Sequence, residues 1–235
     1  MITLLHANLC ADRYDYNKTW RKRSPKFVRW FTKNYPPDIL TLTECTAPSA
    51  VQLVNDLRTS GRVTYVSSSF WGSTVMWRPE VFKKTRNLVQ VRWLSGTQTH
   101  SLFGVELTER ATGQAYNVLV SHFPPGAART LLRRRQMATI TAKTAKWHDP
   151  TVLAMDANWS RSLETFAYDH GGWQSARERA LTRVHPDFKT SGGVFGKGNP
   201  IDYVFGRNGA RFGHYEVIDG RAWSDHNALL VEVRK

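Results

Sequence analysis

The sequence has few cysteines, no long apolar run and little negative charge. Its two cysteines, Cys10 and Cys45, are too few and too far apart for a zinc knuckle or a disulfide framework, so we expect two buried thiols. No apolar stretch exceeds about four residues, whereas a membrane-spanning helix needs roughly 20. The first residues lack a basic leader followed by an apolar segment, so we expect no signal peptide. These absences predict a soluble, cytoplasmic protein that does not bind membranes.

Positive charge and aromatic rings are what the sequence has in quantity. Lys and Arg number 33 against 19 Asp and Glu, which gives a formal net charge of +14. Such a surplus either merely keeps a protein soluble or indicates an anionic polymer or surface as its partner. Nine tryptophans accompany the charge, and aromatic rings can stack on bases, although most of these rings are expected in the core.

Strands and helices alternate along the whole length, with no linker or repeat between them. Strands are predicted at residues 2–8, 38–44, 63–69, 73–77, 87–94, 101–107, 114–121, 151–156, 201–205, 214–218 and 228–233. Helices are predicted at residues 25–35, 49–59 and 126–148, with one more short helix within 161–200. With 235 residues and 41% apolar content, the chain can build one large core. We therefore predict a single α/β domain over residues 1–235 with much antiparallel sheet.

Local signals refine two of these helices. Ser24 followed by Pro25 has the form of a helix N-cap with proline at the first helical position, so the first helix is predicted to begin there. In the second helix, Val51, Val54 and Leu57 recur at helical spacing and are expected to face the core.

Several catalytic motifs are absent, among them a phosphate-binding P-loop, a G-x-S-x-G nucleophile turn, H-E-x-x-H and C-x-x-C. Polar residues that directly follow apolar runs are the candidates for chemistry instead. They are Asn8, Glu44, His122, Asp156, Asn158, Asp202, Asp225 and His226. Each one alone has an ordinary structural explanation, since an Asp at a strand end commonly caps a turn. Together they predict a functional site at the rim of a buried sheet.

The order of these motifs resembles the endonuclease/exonuclease/phosphatase superfamily, which includes deoxyribonuclease I and the exonuclease III-type AP endonucleases. The resemblance spans nearly the whole chain. The segments that carry it are Leu-Leu-His-Ala-Asn8, Ile-Leu-Thr-Leu-Thr-Glu44, Val-Ser-His122-Phe-Pro, Ala-Met-Asp156-Ala-Asn158, Ile201-Asp202-Tyr203-Val204-Phe205 and Ser224-Asp225-His226. It implies a four-layer αββα sandwich, two mixed and mostly antiparallel sheets flanked by helices, and metal-dependent hydrolysis of phosphoesters.

The resemblance also implies roles for the metal ligands and for one histidine. Asn8, Glu44 and Asp225 would hold Mg²⁺, for which Mn²⁺ can substitute, since hard oxygen donors suit these cations better than zinc. His226 would act as general base or as donor to a phosphate oxygen. Asp202 would fix its tautomer and raise its basicity.

Three further roles follow from the same resemblance. Asp156 would orient water and Asn158 the scissile phosphate. His122 would donate to a non-bridging oxygen or protonate the leaving group. In one respect the chain differs: its strand at 73–77 lacks the acid that pairs with the first histidine in deoxyribonuclease I-like members, so His122 is expected either to be less tightly polarised or to have another partner.

The positive charge then selects among substrates, because the fold family alone implies only phosphoester chemistry. A net charge of +14 favours a polyanion, so we predict an endonuclease that acts on DNA rather than RNA, as a monomer. Arg129 and Arg133 follow His122 and would lie about 40° apart on a helix, so they are predicted to bind the phosphates.

Two alternatives remain open from the sequence. One is a phosphoesterase of the same fold that acts on phospholipid or inositol phosphate, which would expose an apolar loop. The best candidate for such a loop is the short segment 192–195. The other is a catalytically inactive nucleic-acid-binding module, which would need damaged motifs, whereas the motifs here are intact.

Overall fold

Two β-sheets lie face to face at the centre of the structure, a computed structural model that describes residues 1–10, 20–33, 36–60, 63–95, 98–192 and 196–235. The strands are β1 (Ile2–Asn8), β2 (Ile39–Thr43), β3 (Val66–Phe70), β4 (Ser73–Trp77), β5 (Phe82–Ser95), β6 (Gln98–Glu109), β7 (Ala115–His122), β8 (Thr151–Asp156), β9 (Gln174–Ser175), β10 (Thr182–Val184), β11 (Asp202–Arg207), β12 (Arg211–Ile218) and β13 (Ala228–Arg234). The helices are α1 (Trp20–Lys33), α2 (Ala47–Thr59), α3 (Thr130–Thr144), α4 (Ser162–Gly171) and α5 (Ala176–Arg179), and a 3-10 turn, Ala127–Arg129, precedes α3.

The strand order is β10-β12-β13-β1-β2-β4-β3 in the first sheet and β5-β6-β7-β8-β11-β9 in the second. Most neighbours are antiparallel, but β1 with β2 and β7 with β8 run parallel near the middle of each sheet. Parallel neighbours need a crossover, and the chain makes it through α1 in the first sheet and α3 in the second. As a result, the polar residues at or just after the ends of four strands lie in one region of the fold, at the ends of β1, β2, β7 and β8.

Alternate residues of the central strands face opposite sides of each sheet. On β1, Leu4 packs between the two sheets and Leu5 packs on the helix side. On β8, Val152 packs between the sheets and Leu153 packs on the helix side. The α1 and α2 helices cover the first sheet and α3 and α4 cover the second. The layers are therefore helix, sheet, sheet, helix, which confirms the predicted αββα sandwich.

The strands are where the sequence predictions hold best. The predicted ranges 2–8, 73–77 and 151–156 coincide with β1, β4 and β8. The hairpin between β6 and β7 turns through Gly113, whose φ of 72° is readily adopted by glycine. Both cysteines are buried free thiols, as expected. Among the helices in the described ranges, none is long and apolar enough to cross a membrane.

The first helix begins earlier than predicted. It starts at the buried Trp20, and Pro25 lies inside it rather than at its first turn. Ser24 is not its N-cap, because it lies inside the helix, where its hydroxyl donates to the carboxylate of Asp56 on α2. Proline inside a helix removes a backbone hydrogen bond, so burial of side chains such as Phe27 must offset that cost. The predicted end at residue 35 lies outside the described residues.

The second helix is rotated about its own axis relative to the prediction, so that a different face is buried. Leu57 is buried as expected, but Val51 is 58% exposed, and the buried face runs through Ala50 and Leu53 instead. Both faces have apolar residues at helical spacing, so the pattern alone does not distinguish them. Thr46 caps the helix, since its side chain accepts from the main-chain N–H of Ser49, three residues further on.

The remaining differences lie in the second half of the chain. The third helix is shorter than predicted, since α3 spans Thr130–Thr144. The segment 161–200 holds α4, α5 and the edge strands β9 and β10 rather than one helix. Buried Glu164 accepts hydrogen bonds from Ser175 at 2.5 Å and Arg177 at 3.0 Å, contacts that tie these pieces together. The apolar loop proposed for 192–195 lies outside the described residues except for Gly192.

Candidate active site

The space between the sheets changes from apolar to polar at one end. Asn8 and Asp156 are the last residues of β1 and β8, on the sides that face the opposite sheet, and His122 ends β7 beside Asp156 in register. Asp202 begins β11 and stands opposite Asp156 because these two strands are antiparallel. Strand alternation thus directs four polar side chains inward at the same level.

Two turns bring further charged residues to this end. Glu44 follows β2 in a left-handed conformation, with φ of 49°. Asp225 and His226 lie in the turn before β13, where the N–H groups of the two preceding residues donate to the carbonyl of Gly220 at 2.9 and 2.8 Å. A Cβ at Gly220 would lie 2.0 Å from the carbonyl oxygen of His226, so only glycine lets the chain close this turn.

Asp156 is the central acceptor of the site. Its Oδ2 lies 2.9 Å from Nδ2 of Asn8, 3.6 Å from Nε2 of His122 and 3.9 Å from Nε2 of His226. Its Oδ1 accepts the main-chain N–H of Asn158 at 2.9 Å. Burial opposes ionisation, but the two histidines and the two hydrogen bonds lower the pKa of the Asp156 carboxyl. Asp156 is therefore an anion with several donors around it.

The amide of Asn8 holds two carboxylates in place. Its Nδ2 donates to Glu44 at 3.2 Å and to Asp156 at 2.9 Å, while its Oδ1 accepts the N–H of Cys10 at 2.8 Å. The amide oxygen is thus already used by the main chain. The oxygen keeps a second lone pair, so the metal-ligand role of Asn8 stays a prediction, and the hydrogen bonds show that Asn8 also positions Glu44 and Asp156.

Asp202 and His226 form the pair that the resemblance implied. Nδ1 of His226 donates to Oδ2 of Asp202 at 2.8 Å, and both side chains are buried. Burial alone would lower the pKa of His226, but Asp202, and then Asp156 and Asp225, outweigh it and raise the pKa to about 10. The imidazole is therefore protonated in this arrangement, with Nε2 directed toward Asp156.

The strand next to His122 lacks the acid expected from the resemblance, and other residues surround the His122 ring instead. The ring of His100, at the start of β6, meets it edge-on with centroids 5.2 Å apart. Its Nε2 lies 3.3 Å from Nδ2 of Asn158 and 4.0 Å from Oε1 of Glu44. Carboxylates from other strands, Glu44 and Asp156, thus face this histidine.

Sequence reasoning missed His6 and His100. Buried His6 lies two residues before Asn8 on the same face of β1, and its Nδ1 donates to the carbonyl of Thr41 at 3.1 Å. Burial lowers the pKa of His6 to about 4, so it is neutral, and its Nε2 lies 3.9 Å from Oδ1 of Asp202. One sequence signal could have identified His6: it lies two residues before Asn8 on a predicted buried strand, and residues two apart on a strand face the same side.

The residues at this end line a pocket of about 790 Å³. Glu44, Asp156 and Asp225 all contribute to it, although the chain as a whole has a net charge of +14. Cys10 lines the same pocket, and burial, and then the charges of Asp225 and Glu44, raise the pKa of its thiol to about 12. Glu44, His122 and Asp156 offer ligand atoms within 4.8 Å of one another. This donor set, rich in carboxylate oxygens, fits a hard divalent cation such as Mg²⁺ or Mn²⁺.

The two predicted phosphate-binding arginines have different surroundings. Arg133 is only 4% exposed, and its Nη1 donates to the carbonyls of Pro124 and Gly126 at 2.9 Å each. Its prediction as a phosphate contact is wrong, because the guanidinium is used to hold the loop between His122 and α3. Arg129 is partly exposed at the start of α3, so it stays a candidate for that role.

Comparison with known proteins gives a match at the level of structure alone. No protein-family profile and no curated protein matches the chain. A mannosyl-6-phosphatase from Bacteroides thetaiotaomicron superposes with a TM-score of 0.82 at 15% identity, over 100% of both chains. An endonuclease/exonuclease/phosphatase protein from Bacteroides vulgatus has a TM-score of 0.80 at 15% identity, over 99% of this chain and 98% of that one.

The same fold also occurs in a nucleic-acid complex. TDP2 of D. rerio, in complex with a single-strand DNA product, has a TM-score of 0.76 at 15% identity and covers 100% of this chain and 99% of its own. At such identities the likeness concerns the fold alone. The chain therefore has the fold of the endonuclease/exonuclease/phosphatase proteins.

Proposed function

We propose that this protein is a metal-dependent nuclease, an endonuclease that hydrolyses phosphodiester bonds of DNA in preference to RNA. The observation that carries the proposal is the convergence on one pocket of an ionised Asp156, His122 and His226, with the buried Asp202 accepting from Nδ1 of His226. Buried charges that each have a polar partner at one end of a fold are typical of a catalytic site.

A divalent cation belongs to this proposal because the pocket concentrates carboxylates. Glu44 and Asp225 would hold it, with Asp156 close by. When bound, the cation would stabilise the charge that develops on the phosphoryl and leaving oxygens. Asn8 supports this arrangement by donating to Glu44 and Asp156 at the same time.

The protein's own groups supply orientation and proton donors. Asp156 is ionised and is surrounded by donors, so it can accept a hydrogen bond from an attacking water. Nδ2 of Asn158 donates one N–H to the carbonyl of Phe123 at 2.9 Å, and when Nε2 of His122, 3.3 Å away, carries its own proton, the second N–H of Asn158 is free to donate to a bound phosphate. The Nε2 atoms of His122 and His226 face the same carboxylate and can donate to phosphate oxygens.

Nucleic acid is the proposed substrate because of the charge of the whole molecule. A net charge of +14 is suited to a polyanion and would steer one to the pocket despite the carboxylates there. The complex of D. rerio TDP2 with a single-strand DNA product supports DNA as the nucleic acid. The endonucleolytic mode rests on the resemblance to deoxyribonuclease I in the motif order.

A second candidate is a phosphomonoesterase for a small molecule. The pocket volume of about 790 Å³ lies within the range of small-molecule sites, roughly 300–1,000 Å³. The mannosyl-6-phosphatase from Bacteroides thetaiotaomicron has the same fold. This candidate requires a site that accepts a terminal phosphate and would not depend on the overall positive charge.

One set of incubations separates the two. Plasmid, linear duplex, single-stranded DNA, RNA and mannose 6-phosphate are each incubated with the protein and Mg²⁺, Mn²⁺ or EDTA. Under the proposal, the protein cleaves DNA internally with Mg²⁺ or Mn²⁺ and not with EDTA, and RNA more slowly. Phosphate release from mannose 6-phosphate without cleavage of nucleic acid would replace the proposal with the second candidate.

A further inference from the structure

An exposed tryptophan stands at the rim of the pocket in an unusual main-chain conformation. Trp71, in the turn between β3 and β4, lines the pocket together with His122 and Asp225 and is 54% exposed. Its φ of 47° is in the left-handed region, which is unfavourable for a bulky side chain. A large ring left in water contributes little to the core, so packing does not explain why the residue is held there.

Two hydrogen bonds hold the turn that contains Trp71 next to Glu44 and His122. Oγ of Ser101 donates to the carbonyl of Trp71 at 3.0 Å, and the N–H of Cys45 donates to the next carbonyl at 3.0 Å. Ser101 is the register partner of His122, and Cys45 directly follows Glu44. The main chain of Trp71 therefore has a fixed place relative to Glu44 and His122.

The guanidinium of Arg92 lies over the indole ring of Trp71. Cζ of Arg92 is 4.0 Å from the ring centroid of Trp71, and Arg92 is exposed on β5, where it pairs with Ser101. A guanidinium stacked on an aromatic ring can still present its N–H edge to a phosphate. Trp71 and Arg92 thus form a surface that is aromatic in one part and cationic in the next, beside the carboxylates of the pocket.

We propose that Trp71 is a stacking subsite for a nucleobase next to the scissile phosphate, and that Arg92 binds a neighbouring phosphate. This inference rests on the proposed nuclease function and names its substrate class. An indole accepts any base, because every base has a π face. In a duplex the faces of a base are covered by its neighbours, so the subsite takes unpaired nucleotides. The preferred substrate is therefore a single strand.

Equilibrium binding in EDTA tests the subsite without hydrolysis. Fluorescence anisotropy is measured with a labelled single-stranded oligodeoxynucleotide, a fully abasic oligomer of the same length, and a duplex. The wild-type protein binds the single strand more tightly than either of the others. Trp71→Ala weakens binding of the single strand roughly tenfold and leaves the abasic oligomer unchanged, while Trp71→Phe keeps most of the affinity because it keeps a ring.

Tyr168 supplies a matched control. It is 52% exposed on α4 and is not among the residues that line the pocket. Tyr168→Ala therefore leaves the affinity for all three ligands unchanged. Equal affinity of wild type and Trp71→Ala for the single strand overturns the proposal. A loss that is the same for the abasic oligomer also overturns it, because the contact would then be with the backbone rather than the base.

Hydrolysis of the same single strand with Mg²⁺ separates failure of this inference from failure of the proposed function. Cleavage by wild type with an unchanged KM in Trp71→Ala rejects the subsite and keeps the nuclease. Binding that depends on Trp71 without any cleavage keeps the subsite and rejects the nuclease. Under the proposal, Trp71→Ala raises the KM for the single strand and changes kcat little.

Discussion

Nδ1 of His226 donates to the buried Asp202, and this hydrogen bond fixes the ring whose Nε2 faces Asp156. Asp202→Asn keeps the shape but weakens the acceptor for Nδ1 of His226 and can stabilise the other tautomer. By analogy with other Asp–His pairs, turnover is expected to fall by as much as about four orders of magnitude. His226→Ala should be as damaging, and the double variant hardly worse, because residues that act as a unit are not additive.

Single-turnover cleavage by the two single variants and the double variant, at matched folding, measures this coupling. Losses that multiply would mean that the two side chains act independently. If Asp202→Asn cost only a little stability and almost no activity, Asp202 would merely cap the start of β11.

Glu44 is the carboxylate on which the proposed cation depends most. Glu44→Gln preserves size and the strained main chain, but it removes a charge from a region that also holds Asp156 and Asp225. Loss of a metal ligand removes several kcal/mol of transition-state stabilisation, so cleavage should fall at least a hundredfold. The melting temperature without metal should not fall, since three carboxylates repel one another.

Glu80→Gln is the control for this variant. Glu80 is exposed and lies beyond the opposite end of β4 from the pocket, so the same chemical change there should leave cleavage intact. Cleavage by Glu44→Gln at the wild-type rate with Mg²⁺ would show that the proposed site is wrong.

At the scale of elements, the loop between β7 and α3 is held by one buried arginine. Arg133 donates to the carbonyls of Pro124 and Gly126, and burial lowers the pKa of its guanidinium. Arg133→Ala leaves these buried acceptors without partners, which costs about 1–3 kcal/mol each at most. Urea unfolding should show a lower midpoint. An unchanged midpoint would mean that water replaces the guanidinium without cost.

The partly exposed Arg129 at the start of the same helix is expected to act on substrate instead of stability. Arg129→Ala should weaken binding of DNA and reduce the slope of log affinity against log salt by about one. Arg58 is exposed near the far end of α2, and Arg58→Ala removes one charge at a distance as a control. Equal slopes for both variants would assign Arg129 to the general surface charge.

At the scale of the whole molecule, binding of a cation to the native state should stabilise the fold. A ligand that binds only the folded protein adds about 2.7 kcal/mol at a hundredfold excess over its Kd, or roughly 5–10 °C in Tm for a chain of this size. Mg²⁺ should therefore raise the Tm seen in EDTA, and Glu44→Gln should abolish the increase. An equal increase in wild type and variant would place the cation elsewhere.

The strands and the polar residues after them followed from the sequence alone. A short apolar run that ends in a polar residue is a local signal, so it marked β1, β8 and their last residues, Asn8 and Asp156, without knowledge of the fold. The order of the motifs then implied the αββα sandwich, and the two sheets with their outer helices confirm it. The helices were less well predicted, because α2 has two apolar faces and only packing chooses between them.

The tertiary structure decided what each polar side chain does. Arg133 lies in a segment that looks exposed and basic, yet its guanidinium is buried under a loop whose path depends on distant contacts. Asn8 directs its amide nitrogen to Glu44 and Asp156, residues 36 and 148 positions away. Trp71 reaches the pocket because hydrogen bonds from other strands hold its turn. Sequence patterns describe neighbours along the chain, whereas hydrogen bonds and burial depend on neighbours in space.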